Sequence, residues 1–197
     1  VRSVCPSATM KVIYTNSWAS IDLEKEAAES LIADGCVLIS QHADTTGAPT
    51  ACEKAGVPIV GYNVSMIATA PTQALTSASI DWGPYYTYAV KSVIDGTKID
   101  TDWCKGYDDG ADKITELNDK AIAKGTKEKV KEVEDAIKDG SLHVFDTSTF
   151  TVDGKELDSW KDDNGNEYIK DGYFHESELH SAPAFAINID GIESVEK

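Results

Sequence analysis

The first half of the chain alternates short apolar runs with longer stretches of helical period, and that alternation restricts the fold more than any other feature. "MKVIYT" (10–15) has the composition of a strand. Ser20 or Asp22 can then cap a helix in which Leu23, Ala27, Ala28, Leu31 and Ile32 recur at helical spacing, with Gly35 after its end. "CVLIS" (36–40) is a second strand, Thr45 or Thr46 opens a helix that Gly56 stops, and "VPIVGY" (57–62) is a third strand. "QALTSASI" (73–80) is the fourth, followed by a helix over residues 83–95 with Pro84 in its first turn and Gly96 beyond it. Strands alternating with helices form βαβ units, so the expected body is α/β, a parallel sheet flanked by helices.

The second half differs in character. Residues 126–139 form a charged amphipathic helix with Val130, Val133 and Ile137 on one face, its Glu and Lys residues solvated, and "LHVF" (142–145) is an expected short strand. Asp153-Gly154 and Asn164-Gly165 are two-residue hairpin turns. "DDNGNE" (162–167) is similar to a calcium loop, but Glu167 stands where that loop needs glycine, so a hairpin is expected there. The expected organisation is an α/β lobe over 1–145 and a hairpin-rich antiparallel extension over 146–197, whose last stretch, "SAPAFAINIDGIESVEK", carries too little pattern to assign.

A chain of 197 residues, 41% hydrophobic and 26% charged, can bury one sizeable core. Its net charge of −16 repels polyanions, which argues against a nucleic-acid partner. Apolar runs such as "CVLIS" fall far short of the roughly 20 residues a membrane span needs. The start at Val1, without initiator Met or signal pattern, is that expected of a piece of a longer protein. Cys5, Cys36, Cys52 and Cys104 form no C-x-x-C pair and are expected to be free buried thiols. No cofactor is implied: G-x-S-x-G, P-loop and G-x-G-x-x-G patterns are absent, and His42, His143, His175 and His180 lack metal-ligand spacing.

In an open parallel sheet, ligands bind outside the carboxyl ends of the strands. Applied here, the rule gathers Asn16, Ser17 and Trp18 from the first strand, Gln41, His42 and Asp44 from the second, Tyr62 and Asn63 from the third, and Ser79, Asp81 and Trp82 from the fourth. Trp18, Gln41, His42, Asp44, Asn63, Asp81 and Trp82 are therefore the candidate ligand-binding residues. An indole face and several hydrogen-bonding groups suit a flat, polar, aromatic small molecule. Each residue also has a plainer role: Trp18 or Trp82 could cover the core edge, His42 and Asp44 could cap the next helix, and Asn63 could serve only the turn after Gly61. A small α/β enzyme using His42 and Asp44 is a weaker alternative.

The stretches "VIYTNSWASIDLEKEAAESLIADGCVLISQHADTTGAPTACEKAGVPIVGYN", "LTSASIDWGPYYTYAVKSVIDG", "WCKGYDDG" and "AIKDGSLHVF" resemble, in order and spacing, the basic membrane protein family of substrate-binding lipoproteins of ABC importers, which includes purine-nucleoside receptors. The resemblance runs from about residue 10 to 145 and is loose beyond it. It implies the second lobe of a two-lobed type I periplasmic-binding fold, without catalysis. It also implies extracytoplasmic placement through an N-terminal lipid anchor outside this chain, a permease partner, and a purine nucleoside or base bound between lobes that close on a hinge. Trp18 matches the family's aromatic position, Asn63 stands where "GYD" usually has Asp, and Asp81 and Trp82 lie where the chain crosses between lobes. A ligand-sensing domain of a regulator or receptor shares the fold and is the alternative reading. The helix over 83–95 is expected to pack on the first lobe; without that cover its Tyr85, Tyr86, Ala89, Val90, Val93 and Ile94 face is expected to pair with another chain or to fold back on its own lobe.

Overall fold

A computed structural model describes residues 1–175 and 187–195. His180 and residues 181–186 of the final stretch lie outside the described residues. The elements in chain order are β1 (Met10–Val12), α1 (Ile21–Ala33), β2 (Ile39–Ser40), α2 (Gly47–Ala55), β3 (Ile59–Tyr62), β4 (Ala74–Ile80), α3 (Gly83–Asp95), β5 (Asp112–Ile114), α4 (Thr126–Lys138), β6 (Trp160–Lys161), β7 (Glu167–Lys170), β8 (Tyr173–Phe174) and β9 (Ile192–Ser194). The fold is α/β. β2, β3 and β4 run parallel, and β5 closes that sheet antiparallel to β4.

Two expectations about strands need correction. β1 does not join the parallel sheet but pairs with β9, and Val195 N donates to Val12 O at 2.8 Å. "LHVF" is not a strand: Leu142 N turns back to Ala136 O at the end of α4, and the segment reaches only an isolated bridge, Asp146 with Tyr173. A four-residue apolar run has the propensity of a strand, but only a pairing partner makes it one.

The chain divides into two compact units. One comprises Lys11–Asp81, Asp112–Glu132 and Ser194–Lys197. Its core is Ala28, Ile39, Ala48, Ala51, Cys52, Ile59, Met66, Ala70 and Ala74, with Leu31, Ile32, Cys36, Val57 and Ile67 packed around it. Small residues dominate because α1 and α2 approach closely. Gly47, the first residue of α2, sits so near Ile21 O that an added Cβ would lie 2.2 Å from it. Ser20 caps α1, its Oγ accepting from Leu23 N, and Pro49 falls in the first turn of α2, where its missing N–H costs nothing.

Cys5, Cys36, Cys52 and Cys104 are all free, but only Cys52 is buried. Burial pushes the Cys52 thiol up to about 11 from 9.0. The folded chain thus holds this proton more tightly than the unfolded chain. The resulting stabilisation is complete below about pH 9 and is lost as pH rises from there toward 11. Urea titrations across that window are expected to show Cys52→Ala with a shallower fall in stability than the parent; identical slopes would contradict the assignment.

The other unit comprises Val1–Met10, Trp82–Ala111 and Val133–Glu193. It contains the antiparallel sheet β6-β7-β8, built on fully buried Tyr168 and Ile169, with Trp160 and Phe174 against the Tyr168 ring. Asp153-Gly154 makes the expected two-residue turn, both residues at positive φ and Val152 paired with Lys155. Asn164-Gly165 lies instead inside a five-residue loop, residues 162–166, between β6 and β7. The Asn166 side-chain amide, followed by the backbone N–H groups of Asn166 and Asn164, holds the Asp162 carboxyl below the usual carboxylate range. In the same unit, Tyr85 and Tyr88 of α3 contact the Trp103 ring, whereas Tyr86, Val90, Val93 and Ile94 remain exposed.

Candidate functional site

The carboxyl ends of β2 and β3 lie side by side in parallel register, Ser40 opposite Val60, and the loops leaving them carry most of the candidate residues. Period-2 alternation decides which side chains emerge. Ile39 and Gln41 point inward and are buried, while Ser40 and His42 are exposed. The His42 ring lies 4.4 Å from that of Tyr62, tilted by 59°.

Asp44 and Asn63 meet across the two loops. Asn63 Nδ2 donates to Asp44 Oδ1 at 3.2 Å. Asn63 has φ 67°, in the left-handed region that Asn tolerates better than most residues. Both of its backbone groups are tied to β4: its N–H donates to Ala78 O at 2.6 Å, and its C=O accepts from Ser79 Oγ at 2.7 Å. Asp44 N in turn donates to Trp18 O at 2.8 Å. Trp18 thus reaches this rim through a loop hydrogen bond, since β1 is not hydrogen-bonded to β2. Its side chain is 74% exposed, an indole face available for stacking.

Trp18, His42, Asp44 and Asn63, with Tyr62 beside them, therefore form one connected group. The remaining candidates stand differently. Gln41 is buried, its Nε2 lying 3.2, 2.5 and 2.6 Å from Glu24 Oε2, Ala43 O and Thr45 O, three acceptors that share its two N–H groups, so it supports the loop from beneath. Asp81, at the end of β4, forms a 2.8 Å ion pair with Lys113 of β5. Trp82 opens α3 in the other compact unit, exposed and flanked by the Tyr85 and Tyr86 rings.

Lys113 and Glu24 went unrecognised in the sequence. β5 is too short at three residues to show a period, and Glu24 resembles any other acidic residue in a first helical turn. The signal for Glu24 was its spacing from Ser20, whose N–H donates to Glu24 Oε1 at 3.2 Å, close to a capping box. Chemically, the rim offers an aromatic face, one carboxylate steadied by an amide, and an imidazole. These groups can stack on a planar ligand and accept from its N–H or O–H groups. Among the described residues no cluster of three or more His, Cys, Asp or Glu is placed to hold a metal, and no helix is long and apolar enough to cross a membrane.

Comparison with known proteins follows the same direction. Residues 1–143 match the family described as ABC transporter substrate-binding protein PnrA-like, or Bmp. A purine-binding protein of Brucella abortus is 34% identical over 155 residues, covering 79% of this chain and 44% of its own length. A Haloferax volcanii protein assigned as an ABC transporter glucose-binding protein is 32% identical over 157 residues, covering 79% of this chain and 40% of its own. The chain thus spans less than half the length of these relatives. Among solved structures, an ABC transporter solute-binding protein from Conexibacter woesei superposes with TM-score 0.55 at 21% identity, over 73% of this chain and 48% of that one. A transcriptional activator of the comK gene from Bacillus halodurans superposes with TM-score 0.59 at 15% identity, over 66% and 47%. At these identities the superpositions speak for the fold alone.

Proposed function

The chain belongs to the PnrA-like (Bmp) family of ABC transporter substrate-binding proteins, and from that premise we propose that it is one ligand-binding lobe of an extracytoplasmic receptor feeding an ABC importer. The ligand is a purine nucleoside, a purine base or a related heterocycle. The observation that carries this reading is the connected rim: Trp18 supplies a stacking face beside the Asp44–Asn63 pair, and the two are joined by the Asp44 N–H bond to Trp18 O. The purine-binding relative from Brucella abortus supports the same class of ligand.

Asn63 sharpens the expectation. It can donate as well as accept but carries no charge, so the pair presents one carboxylate rather than two. With a net charge of −16 on the chain, an uncharged donor-bearing ligand is favoured over a phosphorylated one. Asp81 and Trp82 would serve the hinge, the ligand or both. A second lobe would close over the rim, the closed form would dock on the permease, and an N-terminal lipid would anchor the receptor. The exposed face of α3 would pack on that second lobe, and in this chain alone it would drive self-association.

A thermal-shift panel on the full-length protein tests the ligand class. At 100 times its dissociation constant, a bound ligand adds about 2.7 kcal/mol. Adenosine, guanosine or their bases are expected to raise the melting temperature, and hexoses are not. If a hexose alone raises it, the purine assignment fails in favour of a sugar.

A further inference from the structure

We propose that Glu24, on α1, is a positioning residue for the rim: it fixes the segment 41–45 so that His42 and Asp44 are presented outward. The inference rests on the proposed ligand site for its functional meaning, but its structural content stands on Glu24 itself.

Glu24 is only 4% exposed, unusual for a carboxyl group. Three donors converge on it: Ser20 N at 3.2 Å, Gln41 Nε2 at 3.2 Å and the Thr45 hydroxyl at 2.7 Å. Gln41 and Thr45 are the two ends of the segment whose middle carries His42 and Asp44. The two N–H groups of Gln41 Nε2 are shared between Glu24 and the nearer Ala43 O and Thr45 O, which tightens the segment from inside. The Thr45 hydroxyl accepts from Gly47 N at 3.1 Å, so the start of α2 is tied through Thr45 to the same carboxyl group. One side chain of α1 thereby holds the end of β2, the loop and the start of α2 together, while His42 and Asp44 remain exposed.

The chemistry suits Glu in particular. A carboxylate is an acceptor with about four lone-pair sites, matched to three incoming donors. A Gln in its place keeps the shape but turns N–H groups toward at least one of those donors. Asp is too short to span from α1 to both loop ends.

Hydrogen exchange supplies a readout that needs no ligand. The Asp44 amide, bonded to Trp18 O, and the Gly47 amide, bonded to Thr45 Oγ1, report on the loop; the Gln41 amide on Val60 O and the Asn63 amide on Ala78 O report on the sheet. In Glu24→Ala, exchange at Asp44 and Gly47 is expected to accelerate about tenfold or more while the sheet amides hold, and Glu24→Gln should fall between that variant and the parent. Unchanged exchange at Asp44 and Gly47, or equal acceleration at all four amides, overturns the proposal. Should Glu24→Ala not fold, the same criteria apply to Glu24→Gln.

In the full-length protein, with guanosine and adenosine as probes, Glu24→Ala is expected to weaken binding about tenfold and Glu24→Gln less. Equal affinity in parent and variants also overturns the positioning role. If the parent binds neither probe, the purine reading fails, and the exchange data alone decide the role of Glu24.

Discussion

Gly47→Ala is expected to destabilise the fold by about 2 kcal/mol net of the helix-propensity gain, because there is no room for a methyl group where α2 begins. The added Cβ would lie 2.2 Å from Ile21 O and 3.0 Å from Lys25 N, both backbone atoms of α1 that no side-chain rotation can move. Helix propensity acts in the opposite direction, since Ala is better than Gly by about 1 kcal/mol within a helix. The steric term wins: to restore contact distances α1 must withdraw by about 1 Å, loosening the Ala28, Ala48 and Ala51 packing, and such overpacking costs about 1–3 kcal/mol, occasionally more. Gly61→Ala should cost somewhat less, because its close neighbours, Ser77 Oγ and Met66 Cγ, are side-chain rather than backbone atoms, although both residues are buried and must repack. Urea denaturation of both variants measures the difference. A Gly47→Ala protein as stable as the parent would mean that α1 and α2 are farther apart than described.

The second large effect concerns association. Tyr86, Val90, Val93 and Ile94 recur at helical spacing along α3 and are exposed, Val93 and Ile94 by 71% and 76%. The helix contains only two charged residues, Lys91 and Asp95, in a chain of net charge −16, so the stripe is a nearly neutral island where self-repulsion is weakest. Covering about 300 Å² of apolar surface is worth roughly 7 kcal/mol at 25 cal/mol/Å², before the cost of association. Sedimentation of this chain alone is expected to show a mass that grows with concentration at micromolar levels, and the double variant Val90→Asp, Ile94→Asp is expected to sediment as a monomer. A parent chain that stays monomeric up to about 100 μM would contradict this use of α3.

Much of the architecture was legible because local chemistry and tertiary structure agree. The bounds of α3 coincide with the expected residues 83–95, since Pro84 suits only the first turn and Gly96, at φ 66°, only the end. β4 and the Asp153-Gly154 turn follow from equally local rules. What was lost depended on partners. The pairing of β1 with β9 could not be foreseen, because Ile192–Ser194 has no readable period of its own. Asp171-Gly172, both at positive φ between β7 and β8, obeys the same hairpin rule as Asp153-Gly154 and could have been recognised. The loop around Asn164-Gly165 is longer because the Asp162 carboxyl gathers two backbone N–H groups, an interaction outside the two-residue rule.

The candidate site divides in the same way. The strand-end rule accounts for His42, Asp44 and Asn63, because parallel β2 and β3 bring their carboxyl ends to one edge; Trp18 joins them for a different reason, the hydrogen bond from Asp44 N to its carbonyl, since β1 lies outside that sheet. Gln41 falls under the same strand-end rule, although the alternation from Ile39 through His42 already turns it inward. The ion pair of Asp81, a candidate ligand-binding residue, with Lys113 could not be foreseen because the strand carrying Lys113 is too short to show a period.

The role of the Trp18 face can be tested directly by calorimetry with guanosine and adenosine on the full-length protein, comparing parent and Trp18→Ala. Loss of one stacked aromatic ring is expected to cost about 1–3 kcal/mol, roughly a 5- to 150-fold weaker dissociation constant, with thermal stability little changed because the indole is largely solvent-exposed. Purine binding of undiminished affinity in Trp18→Ala would contradict a ligand site at the ends of β2 and β3.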